Sequence, residues 1–382
     1  MQLLEKFKRI DPVNRGYFEK YLRMLNLKSL RPRTIDTKLW RIYQFLSDSN
    51  FKDSKLITRE DVEDYVIQRK NEVTPITLQG ELLEVRLFLR WLTPDKEKDL
   101  FPEKMRRVRH TLPMDRLLTK NDISKLVDAC RTQRDRALVM FMWDSGARIS
   151  EIMALKIGDI QFDRYGAVVI VRGKTDRRRL RLTACIGDLQ AWVNVHPMRE
   201  NSEAPLFVTQ WRYGSDLRHL SVSTVQNTLK IIARRAGVNN VHPHAIRHAR
   251  LTDLVKSEGP KKGLSEMELR IVAGWEKSSR MPEVYVHLSG EDVEKKILMN
   301  AGLLEEDYQN PVLEAKKCPR CGTINAHDSL FCKICSAALN ESAARQVDTM
   351  HQSVMDNLEI MSAWIDKQKA ERTSPSVQQP TS

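Results

Sequence analysis

Apolar residues recur every three or four positions through much of this 382-residue chain, the spacing of helices with one buried face. Between residues 31 and 50, Ile35, Leu39, Ile42, Tyr43 and Leu46 share such a face. Thr58 stands three before Asp61, a capping-box spacing, and opens a helix whose apolar side is Val62, Tyr65 and Val66. Thr74-Pro75 puts a cap ahead of a first-turn proline and leads into Leu82, Val85, Phe88, Leu89 and Leu92. A further helix is expected near Tyr17 to Leu25. These helices predict a compact bundle over residues 1–100 with no evident catalytic set. Its aromatics Trp40, Tyr43, Phe45, Phe88 and Trp91 read as core rather than as a base-stacking surface.

Residues 94–117 break the pattern with Pro94, Pro102 and Pro113, and 101–117 reads as a basic linker carrying Lys104, Arg106, Arg107 and Arg109. It is either a solvated tether or a segment that crosses DNA. A second domain is expected over 118–305. Helices start near Thr119 and Arg134, and Gly146 ends the second as a C-cap. Ser150 is placed as the cap of the next short helix, with Ile152, Met153 and Leu155 inward. Arg148 sits between these helices with Glu151 beside it, as an oriented functional arginine or as a structural ion pair. The period then switches to two in AVVIVRG and RRLRLTA, a hairpin with Lys174 at its tip and Arg177, Arg178 and Arg179 following. Ser221 or Ser223 opens an amphipathic helix. HPHAIRHARLTDLV, residues 242–255, begins another that carries His244, Arg247 and Arg250. A helix ending at Gly274-Trp275, a segment with Tyr285 and His287, and a short helix over Asp292–Met299 complete the domain.

Composition narrows the partner. The net charge of +13 and a pI near 9.4 favour a polyanion, nucleic acid ahead of a membrane surface. No apolar run approaches the ~20 residues of a membrane span, and MQLLEKFKRIDP is too charged for a secretory signal. The expected location is the cytoplasm, with the nucleoid. Cys130 and Cys185 stand apart, whereas Cys318, Cys321, Cys332 and Cys335 form two CxxC pairs over 315–340. Four thiolates suit a structural, tetrahedral Zn2+ with no open position; two disulfides or four idle cysteines are the alternatives. Residues 341–371 carry Val347, Met350, Val354, Leu358, Met361 and Ile365 at steps of three and four, a coiled-coil seam or a face packed on its own protein. Residues 372–382 read as a disordered tail.

One turn of helix brings His244 and Arg247 to the same face, where a guanidinium fork and an imidazole can hold a phosphate; a basic helix end with a solvated face is the alternative. A hairpin lysine such as Lys174 can swing toward a phosphodiester, though an ordinary turn lysine looks the same. No P-loop or acidic metal triad is evident.

The order Arg148, Lys174, His244-x-x-Arg247, Trp275, Tyr285 resembles the tyrosine recombinases of the phage-integrase and Xer type, over roughly residues 14–300. GARISEIMAL is similar to the first arginine box, HPHAIRHARLT to the second, and AGW…YVHL to the tyrosine box. The resemblance implies a multidomain, mainly α protein. It would have a helical, SAM-like core-binding domain that clamps DNA and a mixed α+β catalytic domain with a small antiparallel sheet. The zinc ribbon and C-terminal helix would follow. It also implies that Tyr285 attacks a scissile phosphate to give a 3′-phosphotyrosine and a free 5′-hydroxyl. Arg148 and Arg247 would grip the non-bridging oxygens, Lys174 would protonate the leaving oxygen, and His244 would help deprotonate the tyrosine or bond the phosphate. Trp275, where many members carry histidine, would donate its indole N–H. Glu151 would support, and Lys104, Arg106, Arg107, Arg109, Arg177 and Arg178 would contact DNA. The partners would be double-stranded sites held by a homotetramer on two duplexes, with no ATP and no catalytic metal. The ribbon and the Arg-Met-Pro-Glu before Val-Tyr285 are similar to archaeal members. A silent DNA-binding regulator, an assembly factor built on the ribbon, and a type IB topoisomerase are the competing readings.

Overall fold

In the computed structural model, residues 7, 10–101, 117–173, 177–209, 219–256, 263–279, 281–285, 297–298, 301, 313 and 315–373 are described. The chain forms two compact units, Met1–Thr111 and Leu112–Ser382.

The first unit is a helical bundle: α1 (Pro12–Leu27), α2 (Pro32–Asp48), α3 (Arg59–Arg69), α4 (Pro75–Leu92) and the single turn α5 (Glu97–Leu100). α1 begins earlier than expected because Asp11 accepts from the N–H groups of Val13 and Asn14, with Pro12 in the first turn. Thr58 makes its capping box with Asp61, and Thr74 caps α4. The apolar positions meet in one core in which Phe18, Leu39, Ile42, Phe45, Leu46, Val85, Phe88 and Leu89 are fully buried. Phe18 and Tyr21 meet Phe88 edge-on, with centroids 5.8 and 5.2 Å apart. Trp40 is a correction. It is 53% exposed, because it stands one residue off the stripe of Leu39, Ile42 and Leu46. It leans on Phe7 and Tyr43 at the bundle surface. Tyr43 and Trp91 are only partly buried. Lys104, Arg106, Arg107 and Arg109 lie outside the described residues.

The second unit is built round α7 (Gln133–Ser145), which is buried from Arg134 to Ser145 except at Arg136. A helix that is apolar nearly all round belongs in the middle of a core. Thr132 caps it, and Gly146 ends it with φ +54°. α6 (Lys120–Asp128), α9 (Ile186–Asn194) and α11 (Pro243–Val255) pack against it; α10 (Val222–Ala236) lies on α6 and α8 (Ile149–Met153), and α12 (Glu266–Ala273) lies on α11. Ser221 caps α10. Ser150 does not cap α8: the cap position is Arg148, whose backbone N–H is taken up by Glu151 Oε2 at 2.8 Å. The sheet is antiparallel in the order β1 (Ile160–Asp163), β2 (Gly166–Arg172), β3 (Arg177–Leu182), with Arg172 paired to Arg177 across the expected hairpin. The hairpin tip with Lys174 lies outside the described residues, as do His287 and most of the expected Asp292–Met299 helix.

The tail of this unit carries β4 (Lys316–Lys317) paired with β5 (Ile324–Asn325), then a helix over Glu341–Thr373. Val347, Met350, Val354, Leu358, Met361 and Ile365 of that helix are all exposed, which leaves the expected seam uncovered among the described residues. Among those residues no helix is long and apolar enough to cross a membrane.

Candidate active site

α11 starts where the sequence places it. His242 caps it by accepting from the Ala245 N–H at 3.1 Å, and Pro243 occupies the first turn. Arg247 lies one turn in and is 3% exposed. Its Nη1 donates to the Gly146 carbonyl and its Nη2 to the Ala273 carbonyl, both at 2.7 Å. The guanidinium therefore spans the end of α7 and the end of α12. Burial, then the charges of Arg148 and Arg178, push its pKa down to about 10, so it stays charged at neutral pH.

Arg148 reaches the same turn from the other side. Its Nη2 donates to the Gly274 carbonyl at 3.1 Å and its Nη1 to Glu151 Oε1 at 3.0 Å. Half of the guanidinium is held while the side chain remains 41% exposed. Glu151 is buried and also receives Arg178 as a fork, Nη1 to Oε1 at 2.9 Å and Nη2 to Oε2 at 2.7 Å. Burial pushes the Glu151 carboxyl up, but the bonds from Arg178 and Arg148 outweigh it and hold the pKa below the usual range. Arg178 Nε donates to the Val272 carbonyl at 2.9 Å. The expectation that Arg178 contacts DNA is thus corrected: its side chain is 9% exposed and faces inward. Its neighbour Arg177 is exposed on the same strand.

The three guanidiniums converge on the turn from Val272 to Gly274. Gly274 adopts φ +62°, and a Cβ there would stand 2.6 Å from Arg178 Nη1, so glycine is required twice over. Among the described residues, Arg148 and Arg178 bond Glu151 and Arg247 interacts with it electrostatically, three guanidiniums to one carboxylate and a surplus of two positive charges. Buried cations normally come with partners; this surplus marks an anion site.

His244 is half-buried beside them. Burial first, then Arg247, His242 and Arg148, lower its pKa, so it is neutral at pH 7. Trp275 lies with its ring 5.9 Å from Arg247 Cζ and 5.2 Å from the Tyr285 ring. Tyr285 follows a 3-10 turn over Met281–Val284 and is 6% exposed. Burial raises its hydroxyl to about 12, with Arg247 opposing. Arg148, Glu151, His244, Arg247, Trp275 and Tyr285, scattered over 138 positions of sequence, are thereby gathered round α11 and the end of α12.

Sequence reading passed over one residue. The Tyr285 hydroxyl is hydrogen-bonded to His248 Nδ1, and the two rings lie nearly parallel, 18° apart in plane, with centroids 5.2 Å apart. His244 meets His248 edge-on at 4.1 Å. The i, i+4 spacing of two histidines in HPHAIRHAR was the available signal. Arg250 is structural: it bonds Asp253 at 2.9 Å, reaches Asp144 and covers the Trp143 ring.

Cys318, Cys321, Cys332 and Cys335 come together, with all four Sγ atoms within 4.8 Å of one another. The contacts Cys318–Cys335 and Cys321–Cys332 are 3.5 Å, too long for the ~2.05 Å of a disulfide. They are close to the edge of about 3.8 Å of a tetrahedron with ~2.3 Å metal–sulfur bonds. After each CxxC the chain turns left-handed, at Gly322 (φ 72°) and Ser336 (φ 55°), so the two knuckles share one conformation. The cluster seats on α9. Arg136 bonds both Asp188 and Asp328, and a Cβ on Gly187 would lie 2.4 Å from that of Ala326.

Residues 116–291 match the Phage integrase family. This segment is thereby similar to the catalytic domains of the tyrosine recombinases. Tyrosine recombinase XerC of Escherichia coli O157:H7 (strain EC4115 / EHEC) is 26% identical over 263 residues, 65% of this chain and 86% of that protein. XerC of Shigella flexneri is 25% identical over the same length. Among solved structures, XerH site-specific recombinase bound to difH substrate superposes with TM-score 0.53 at 17% identity, over 78% of this chain and 87% of that one. The Tn1549 transposon integrase with transposon right end DNA gives 0.57 at 15%, over 75% and 98%.

Proposed function

We propose that this chain is a site-specific DNA recombinase in which Tyr285 attacks a scissile phosphate and Arg148 and Arg247 hold its non-bridging oxygens. The surplus of two positive charges round Glu151 carries the reading. Attack converts a phosphodiester monoanion to a phosphorane-like dianion, so the site is matched to the charge that develops. Arg178 and Glu151 keep Arg148 aimed. Trp275 packs on both the arginine and the tyrosine, and its indole N–H is available to a phosphate oxygen. The linkage would be a 3′-phosphotyrosine with Lys174 as the acid for the leaving 5′-oxygen. Religation would reverse these steps without ATP or a catalytic metal.

Lys104, Arg106, Arg107, Arg109 and Arg177 are assigned to DNA backbone contact, where each would release counterions. The four cysteines fit a structural zinc: all four donors would be protein thiolates, which leaves no position for a substrate. The working assembly is a tetramer on two duplexes in the cytoplasm, with the exposed seam of the C-terminal helix available for self-association. Mass measurement of the DNA complex would show four chains; a complex that stays at one or two chains would refute that assembly.

The test of function is a duplex carrying the authentic site and a nick that lets the cleaved fragment escape. Wild type is expected to trap a covalent protein–DNA adduct in EDTA, and Tyr285→Phe none. Tight binding without any adduct on authentic sites would establish a silent regulator instead.

A further inference from the structure

We propose that His248 is the general base that accepts the Tyr285 proton as the phenol attacks phosphorus. The inference rests on the recombinase reading above and assigns a step within it. Three observations carry it. The hydroxyl of Tyr285 is bonded to His248 Nδ1. The two rings are nearly parallel with centroids 5.2 Å apart, which holds the imidazole beside the tyrosine. His244, the imidazole expected to assist the tyrosine, meets the edge or face of the His248 ring at 4.1 Å, so His248 touches both residues.

In this assignment the phenol O–H donates to Nδ1 and the ring proton sits on Nε2, which is the tautomer a base needs. A base is also required: a hydroxyl raised by burial to about 12 is ionised in roughly one molecule in 10⁵ at pH 7. In the step, the Tyr285 O–P bond forms as the P–O5′ bond breaks. The tyrosine proton passes to His248, giving an imidazolium, and the leaving 5′-oxygen takes a proton from the acid assigned to Lys174. Religation returns each proton to its origin. His248 also lies next in sequence to Arg247, so one turn of α11 supplies both a phosphate clamp and a proton acceptor.

The experiment uses the full-length protein and the nicked duplex under single-turnover conditions. His248→Phe keeps an aromatic ring against Tyr285 and removes both ring nitrogens, the Nδ1 partner of the hydroxyl among them. Its cleavage rate is expected to fall about 10²- to 10⁴-fold, the usual contribution of a general base, with DNA affinity unchanged. His248→Ala is expected to fall similarly and to recover in added imidazole, in proportion to the free base. Cleavage by His248→Phe at or above the wild-type rate would overturn the proposal and make the contact a packing or restraining one. Absence of imidazole rescue in a folded, DNA-binding His248→Ala would overturn it too. Absence of any adduct from wild type would instead defeat the recombinase reading itself.

Discussion

Replacing Arg178 by methionine tests whether this arginine is an internal strut or a DNA contact. Methionine preserves most of the volume and removes three hydrogen bonds, two to Glu151 and one to the Val272 carbonyl. Removing one partner of a buried ion pair costs about 3–5 kcal/mol, because the other charge is left without compensation. Glu151 keeps its bonds to Arg148, so the lower end applies, roughly 3 kcal/mol. A domain of this size loses about 2–4 °C per kcal/mol, which gives a fall of roughly 6–12 °C in the transition of the catalytic unit. Near-UV circular dichroism during heating measures it. A parallel salt titration of DNA binding measures the other possibility, since a lost phosphate contact lowers the slope of log K against log salt by about 1. The expected result is a lower transition temperature with an unchanged slope. A slope reduced by about 1 with an unchanged transition would refute the internal role and restore Arg178 to the DNA surface.

Three further outcomes follow from the same geometry. Gly187→Val forces a side chain into Ala326, and overpacking of this kind costs about 1–3 kcal/mol. Hydrogen exchange over residues 315–340 should quicken while that of α7 stays slow; unchanged exchange would show that the ribbon does not seat on α9. Metal analysis should find close to one zinc per chain, lost in the double variant Cys318→Ser/Cys321→Ser, and a folded ribbon free of metal would contradict the assignment. The lowered pKa of Glu151 makes its contribution to stability complete above the ordinary glutamate value of about 4.3, and that contribution is lost as pH falls through the lower folded value. Urea unfolding of wild type against Glu151→Gln should therefore show a gap that closes only in acid; a gap independent of pH would show that the carboxylate charge is not what stabilises the turn.

The elements with strong local signals were legible before the fold was known. Thr58, Thr74, Gly146 and Ser221 cap their helices because capping depends on neighbours in sequence. β1 is too short to show a period, whereas α9 does carry one in Ile186, Leu189, Trp192 and Val193 and was legible by spacing. Arg178 shows a different failure. It stands in a run of arginines, and such runs usually face solvent. Yet strand alternation puts Arg178 on the same side as Leu180 and Leu182, the face that is buried. Reading period before charge would have turned it inward. His248 carries no local signal beyond its i, i+4 spacing from His244, because its contact with Tyr285 is made only by the tertiary fold. Residues far apart in sequence, such as Arg148 and Gly274, meet only through the tertiary fold, and no local pattern reports their 3.1 Å contact.

The central claim is that Tyr285 forms the covalent bond to DNA. Trapped adduct, digested with nuclease and trypsin and analysed by mass spectrometry, tests it most directly. The account predicts a nucleotide remnant on the peptide spanning residues 281–295, attached at Tyr285 through a 3′-phosphate, with a free 5′-hydroxyl on the released strand. A remnant on any other residue, or a 5′-linked one, would contradict it.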